Sequence, residues 1–301
     1  MKYADVLRAR YQSLLDEKAA RDRGEDPKTH IKTGLRDFDQ RAGISRSILT
    51  VVGAPTGEGK SIFKKHLQEH TAQCGLKALD LSFEDPPERS ADRTFSTLAN
   101  INNAKLAMGC NEKELARLAL ADAEEWAENI DYHYGLRTPD ECIEILNDSE
   151  WDLAQVDYAQ AFPEGAKGLE RTISDFAWKL NVMAQERRAA VIVYSQLTAK
   201  VEARGVERAE ASRRFGGKDA VDVAGFRPFG PSDLAWSSAL GQRAKGLGFL
   251  FRPNRYRKRY GENVKDDQME LIWPKANFSS EGVVVVGFDG KHARLYDLPE
   301  K

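Results

Sequence analysis

Residues 3–22 carry apolar side chains at Tyr3, Val6, Leu7, Tyr11, Leu14 and Leu15 among charged neighbours. That spacing predicts a helix with a narrow apolar stripe. Residues 23–31 are polar and read as a linker. A stripe this thin can fold back on its own domain or dock on another subunit. From residue 32 the pattern changes to short apolar runs alternating with amphipathic stretches. Ile48–Val52, Lys77–Phe83, Ile130–Tyr134, Asp152–Val156 and Ala190–Tyr194 read as strands. Helices are predicted at about 60–73, 88–98, 112–127, 139–146 and 169–187. Residues 199–232 are polar and Gly-rich without a sustained period, and read as a long loop. Leu247–Phe251, Met269–Trp273, Val283–Phe288 and Ala293–Tyr296 then read as short strands with turn signals between them. The fold class predicted is α/β: a mostly parallel sheet flanked by helices, with a C-terminal antiparallel edge and an N-terminal helix. The domain division is a helix and linker at 1–31 and one domain at 32–301.

Composition narrows the class. The chain has 301 residues, 41% of them hydrophobic, enough for a sizeable core. Lys and Arg total 45 against 47 Asp and Glu, a net charge of -2. A uniformly basic protein that coats nucleic acid is excluded, but a locally basic face is not. Cys74, Cys110 and Cys142 lie far apart, with neither disulfide-framework nor metal-ligand spacing. The first residues are charged and unlike a signal peptide, and no apolar run approaches the length of a membrane span. A soluble, cytoplasmic protein without a membrane partner is expected.

The strongest chemical signal is Gly53-Ala54-Pro55-Thr56-Gly57-Glu58-Gly59-Lys60-Ser61. It follows a strand and opens a helix, the context a phosphate-binding loop requires. Backbone amides of such a loop and the positive end of the helix dipole hold an anion. Ala54, Pro55, Thr56, Gly57, Glu58, Gly59, Lys60 and Ser61 are therefore candidate nucleotide-binding residues. Lys60 would reach the β- and γ-phosphates of ATP, and the Ser61 hydroxyl would ligand Mg²⁺. Leu153–Asp157 is an apolar strand ending in an acid, which makes Asp157 the second metal candidate. Glu84 ends the strand after the loop's helix, where it can act as general base. Gln196 ends a later strand and can hydrogen-bond the γ-phosphate.

Together these pieces resemble the RecA-type ATPase core of DnaB-like replicative hexameric helicases. Thr33-Gly34-Leu35 with Phe38-Asp39 is similar to the segment before the family's first core strand. Glu84, Glu88 and Arg93 match the spacing after its catalytic glutamate, and add Arg93 to the nucleotide candidates. Asp157-Tyr158-Ala159-Gln160 resembles its Asp-Tyr-x-Gln signature and Ser195-Gln196-Leu197 its Ser-Gln-Leu sensor. Ser232-Asp233-Leu234 followed by Gln242 resembles its DNA-contacting motif. The resemblance runs from about residue 32 to 301 and implies an ATP-dependent, ring-forming helicase. It further implies single-stranded DNA as substrate, a homo-oligomer of hexamer type, and a primase or helicase loader as partner. The family's large N-terminal collar has no counterpart here, which suggests replication of a phage or mobile element. The helix at 3–22 corresponds to the linker helix that packs on a neighbouring subunit. A family strand carries Lys-x-Arg into the neighbour's ATP site. Here Lys275 matches, but Asn277 stands at the arginine-finger position. Arg252, Arg255 and Arg257 are candidate replacements acting in trans.

Residues 240–265 hold eight basic side chains and one acid, so this segment carries +7 and the rest of the chain -9. Such segregation suits a phosphate backbone, and Tyr256 and Tyr260 would stack on bases. With the resemblance, Arg213, Arg214, Lys218, Gln242, Arg243 and Lys245 become the DNA candidates. Trp126, Trp151 and Trp178 read as core. Two alternatives stay open: a RecA-like ATPase acting in recombination or on a protein client, and a weakly catalytic nucleotide-binding adaptor subunit.

Overall fold

The computed structural model describes residues 2–22, 29–41, 43–119, 123–135, 138–157, 169–215, 221–235, 240–241, 243–264, 267–275 and 282–299. The strands are β1 (His30–Ile31), β2 (Ile44–Ser45), β3 (Leu49–Gly53), β4 (Ala78–Ser82), β5 (Ile130–Tyr134), β6 (Leu153–Asp157), β7 (Ala190–Ser195), β8 (Gly246–Phe251), β9 (Gln268–Lys275), β10 (Gly282–Asp289) and β11 (Arg294–Tyr296). The helices are α1 (Tyr3–Asp22), α2 (Arg36–Arg41), α3 (Lys60–Gln73), α4 (Pro87–Leu98), α5 (Asn103–Met108), α6 (Glu112–Ala119), α7 (Glu124–Ala127), α8 (Pro139–Asp148), α9 (Leu169–Arg187), α10 (Ala199–Phe215) and α11 (Pro253–Arg259).

Among the described residues, nine strands form one sheet in the order β11-β10-β9-β8-β3-β7-β6-β4-β5. From β8 to β5 in that order the strands run parallel, and β9, β10 and β11 extend the sheet antiparallel. The parallel core and the antiparallel edge are those predicted. Every residue of β3, β4, β6, β7 and β8 is buried, as expected of strands covered on both faces. Successive side chains divide between the two faces. Leu49, Val51, Val191 and Val193 pack with Phe176 and Leu180 of α9. Val52, Ile192 and Tyr194 pack with Phe63 and Leu67 of α3. β1 and β2 form a separate two-stranded ribbon, so His30 and Ile31 pair within the folded unit rather than trailing from a linker.

Local signals explain several boundaries. Asp39 accepts from the Thr33 amide (2.8 Å) and the Gly34 amide (2.9 Å), pinning the turn before α2. Thr138 and Glu141 form a reciprocal capping box that starts α8, with Pro139 at its first position. The predicted helix at 112–127 is instead α6 and α7, with residues 120–122 outside the described set. α5 is a short helix that the sequence pattern does not announce.

The larger correction concerns residues 199–232. They hold the 17-residue helix α10 rather than a structureless loop. Its buried positions Val201, Gly205 and Ala209 are small or sparsely spaced, which hides the helical period. A Cβ at Gly205 would lie 2.1 Å from the Phe226 ring, so that ring packs directly on the helix backbone. The chain returns through 3₁₀ turns, and Leu234 bridges Leu197 antiparallel. Trp178 is also corrected: it is 54% exposed, whereas Trp151 is buried and Trp126 half-buried. The stripe on α1 stays exposed, with Tyr3, Leu7, Tyr11, Leu14 and Leu15 facing solvent.

Candidate nucleotide site

The phosphate-loop motif leaves the carboxyl end of β3, where Gly53 lies between Ser195 of β7 and Phe249 of β8. The Ala54 amide donates to the Ser195 carbonyl (3.1 Å), and the Glu58 amide closes a turn onto the Pro55 carbonyl (3.2 Å). Gly57 and Gly59 have φ of +78° and +96°, a left-handed backbone that glycine adopts without strain. Gly59 also offers α3 no capping side chain, so the helix start is left for an anion.

The candidate side chains converge at this edge of the sheet. Lys60 Nζ is 2.8 Å from a carboxylate oxygen of the buried Asp157, at the end of β6. The Ser61 hydroxyl hydrogen-bonds Asp85, one residue beyond Glu84. Glu84 is exposed just past β4, and Gln196 is half-buried just past β7. A loop of amides, an ammonium, a hydroxyl and a carboxylate is the donor set that suits a magnesium nucleoside triphosphate.

Asp85 does not stand out in the sequence, yet it organises the turn that carries Glu84. Arg93 grips it with two hydrogen bonds of 3.0 and 3.1 Å, and Tyr132 Oη donates 2.6 Å to its carbonyl. Burial opposes ionisation of Asp85, but Arg93 outweighs it, and the carboxyl is held below its ordinary range. Arg93, a nucleotide candidate, is thus committed to Asp85. Its position in sequence, directly after Glu84 and eight before an arginine, was the available signal.

A second polar group lies under the loop. Lys64 Nζ is 3.0 Å from Asp80 and 3.5 Å from Asp157. Gln155 donates to the Lys64 carbonyl (3.0 Å) and accepts from Tyr194 Oη (2.6 Å). Burial works against the Lys64 charge, but Asp80 and Asp157 overcome it and hold the ammonium above its usual range. Burial pushes the Asp80 carboxyl up to about 6 against the pull of Lys64. A charge inside the apolar run Leu79-Asp80-Leu81 was the sequence signal for this cluster.

Glu58 turns away from the phosphate side. It is fully buried and accepts from the Arg252 amide (2.8 Å) and Arg255 Nη1 (2.8 Å). Burial pushes its carboxyl up, and Arg255 pulls it back part of the way. Arg252 also donates to the Gly57 carbonyl (3.3 Å) and pairs with Asp267. The expectation of a finger acting in trans therefore fails for Arg252 and Arg255, whose guanidiniums are engaged by their own chain's loop. Arg257 is half-buried and donates to Asn254 (3.3 Å). Tyr256 is corrected too: it stacks 4.2 Å from Phe226 in the core and is not offered to bases.

The remaining candidates lie elsewhere. Arg213 and Arg214 are exposed in the last turn of α10. Arg243 is exposed and reaches Ser174 (3.3 Å). The Lys245 amide bonds the Leu49 carbonyl at the sheet edge opposite the phosphate loop. Lys275 ends β9 opposite Leu247, on that same far edge. Lys218, Gln242, Asn277 and Tyr158–Gln160 lie outside the described residues. A cleft of about 630 Å³ opens beside the loop, between Thr56, Gln196, Glu202 and Arg255.

The profile of the DnaB-like helicase C terminal domain matches residues 30–214, more than half of the chain. The chain belongs to that family. This DnaB-like chain is 26% identical over 287 residues to the replicative DNA helicase DnaB of Haemophilus influenzae, covering 91% of this chain and 56% of that protein. It is 24% identical over 284 residues to the replicative DNA helicase DnaC of Bacillus subtilis, covering 91% and 58%. The DnaB-like chain thus spans little more than half the length of these relatives. Among solved structures, a free-standing ATPase domain superposes with a TM-score of 0.75 at 20% identity, over 96% of this chain and 98% of that one. A DnaB-like replicative helicase, described with its interactions with primase, gives 0.74 at 20% identity, over 96% and 66%. The RadB recombinase gives 0.53 at 16% identity, over 89% and 100%. These likenesses show the fold, the RecA-like arrangement that the sequence predicts.

Proposed function

We propose that this chain hydrolyses ATP with Mg²⁺ as a subunit of a ring, of hexamer type, that translocates on single-stranded DNA in cytoplasmic replication. The observation that carries the reading is the meeting of Lys60, Ser61, Asp157, Glu84 and Gln196 where β3, β4, β6 and β7 end. In this reading Lys60 exchanges Asp157 for the β- and γ-phosphates. Ser61 and Asp157 hold the metal, which neutralises charge on the phosphate oxygens. Glu84 takes a proton from water as the water oxygen bonds to the γ-phosphorus and the bridge to the β-phosphate breaks. Gln196, one residue beyond β7, senses the γ-phosphate and passes its loss to α10. Lys275 stands at the sheet edge away from its own loop, which favours service to a neighbour's site. The exposed stripe of α1 docks on a second copy of the chain. A primase or loader is the expected partner of the ring.

Turnover with and without a single-stranded oligonucleotide tests this function. Wild type should hydrolyse ATP, faster with DNA, and open a forked duplex. Lys60→Ala should lose turnover. Glu84→Gln should keep nucleotide binding and lose turnover by about 10²- to 10⁴-fold, the usual share of a general base. Near-normal turnover in Glu84→Gln refutes the assignment of the base.

A further inference from the structure

Four contacts tie the phosphate loop to the start of α11. Arg255 Nη1 donates to the Thr56 carbonyl and to Glu58 Oε1, both at 2.8 Å. The Arg252 amide donates to Glu58 Oε2 at 2.8 Å, and Arg252 Nη1 reaches the Gly57 carbonyl at 3.3 Å. Tyr256 also hydrogen-bonds Glu58. A Cβ on Gly57 would lie 2.8 Å from Arg255 Nη2, so the guanidinium lies flat against the loop backbone.

Peptide geometry gives these contacts a consequence. In a planar trans peptide the carbonyl and the following amide point in opposite directions. Holding the Thr56 carbonyl toward Arg255 therefore aims the Gly57 amide to the other side of the loop. Loop amides are the groups that receive phosphate oxygens. Glu58 completes the arrangement, since its buried carboxylate anchors the guanidinium that holds Thr56.

We infer that Arg255 is a positioning residue acting in cis, which sets the Gly57 amide for the β-phosphate through the Thr56 carbonyl and Glu58. It is not a finger for a neighbouring subunit. This inference rests on the reading of the loop as a nucleoside triphosphate site. It also joins the loop to the neighbouring helices. Arg259 of α11 pairs with Glu202 of α10, and Tyr256 stacks on Phe226. Displacement of α10 is thereby transmitted to the Thr56–Gly57 peptide.

The test uses fluorescent ADP, which has no γ-phosphate for a finger to touch. Arg255→Met should weaken ADP binding by about tenfold or more, the loss expected for a charged hydrogen bond. Arg255→Lys, which keeps one donor and the charge, should recover part of that affinity. Mixing Arg255→Met with Lys60→Ala subunits should restore no turnover, because no subunit then holds an intact loop. Unchanged ADP affinity in Arg255→Met, or turnover restored on mixing, overturns the cis assignment and returns Arg255 to a finger in trans. If wild type itself fails to bind ADP or ATP, the nucleotide reading falls as well, so the two failures are told apart.

Discussion

Lys64 Nζ lies 3.0 Å from Asp80 and 3.5 Å from Asp157, so one buried ammonium serves two carboxylates under the phosphate loop. Removing one member of a buried ion pair leaves an uncompensated charge, which costs about 3–5 kcal/mol. Lys64→Met should lower stability by that order. Lys64→Met with Asp80→Leu should recover most of it, because no net charge is then stranded. Urea unfolding midpoints of the single and double variants measure both. A double variant as unstable as the single one removes the pairing argument.

His66 provides a pH handle. Burial lowers its pKa to about 4, although its ring contacts the Thr33 carbonyl at 2.8 Å. The fold therefore favours the neutral ring. Stability from this group is complete above its unfolded pKa of about 6.5 and is lost as pH falls toward 4, up to about 3 kcal/mol. Asp80, raised to about 6, has the opposite sign: the fold favours its protonated form, so its contribution falls as pH rises from about 4 to 6. Wild type should show a shallow profile in which the two oppose. His66→Gln should uncover a stability that declines from pH 4 to 6. Thermal melts across that range decide it, and superimposable profiles would show that His66 does not titrate as described.

The exposed stripe of α1 predicts an assembly phenotype. Deleting residues 1–25 should convert rings into smaller species in native mass spectra with ATP and an oligonucleotide present. The core should still melt cooperatively, because Tyr3, Leu7 and Tyr11 are exposed and contribute little to its packing. Rings of unchanged mass after the deletion would leave α1 without a role in assembly.

Binding of single-stranded DNA should weaken steeply with salt and depend little on base sequence, since counterion release drives phosphate contacts. Arg213→Ala with Arg214→Ala should flatten the slope of log affinity against log salt by about one for each phosphate no longer neutralised. Fluorescence anisotropy over a salt series gives the slope. An unaltered slope removes the end of α10 from the DNA path.

The sequence was most legible where one force dominated. The strands of the parallel core were visible because both their faces are buried, which makes them continuous apolar runs. The loop at 53–61 was visible because glycine spacing, strand and helix agree. α10 was hidden because its buried stripe is Val201, Gly205 and Ala209, and a glycine against an aromatic ring carries no periodic signal. α11 was hidden because Tyr256 is its one large buried side chain among arginines, which made a core residue look like part of a basic surface. Arg255 was legible as important but not as local. Its partner Glu58 lies almost two hundred residues earlier, and only the β3–β8 pairing brings them together.

The antiparallel bridge between Leu197 and Leu234 clasps the excursion containing α10 at its base. What lies beyond the clasp is suspended from the sheet without being threaded through it. The entropic cost of closing such an excursion rises only with the logarithm of its length. Lineages can therefore extend, trim or replace the segment while β7 and β8 keep their register with β3. For the same reason it is a natural splice point: a reporter peptide inserted beyond Phe215 would ride on the moving part of the molecule without interrupting the strands beside the phosphate loop.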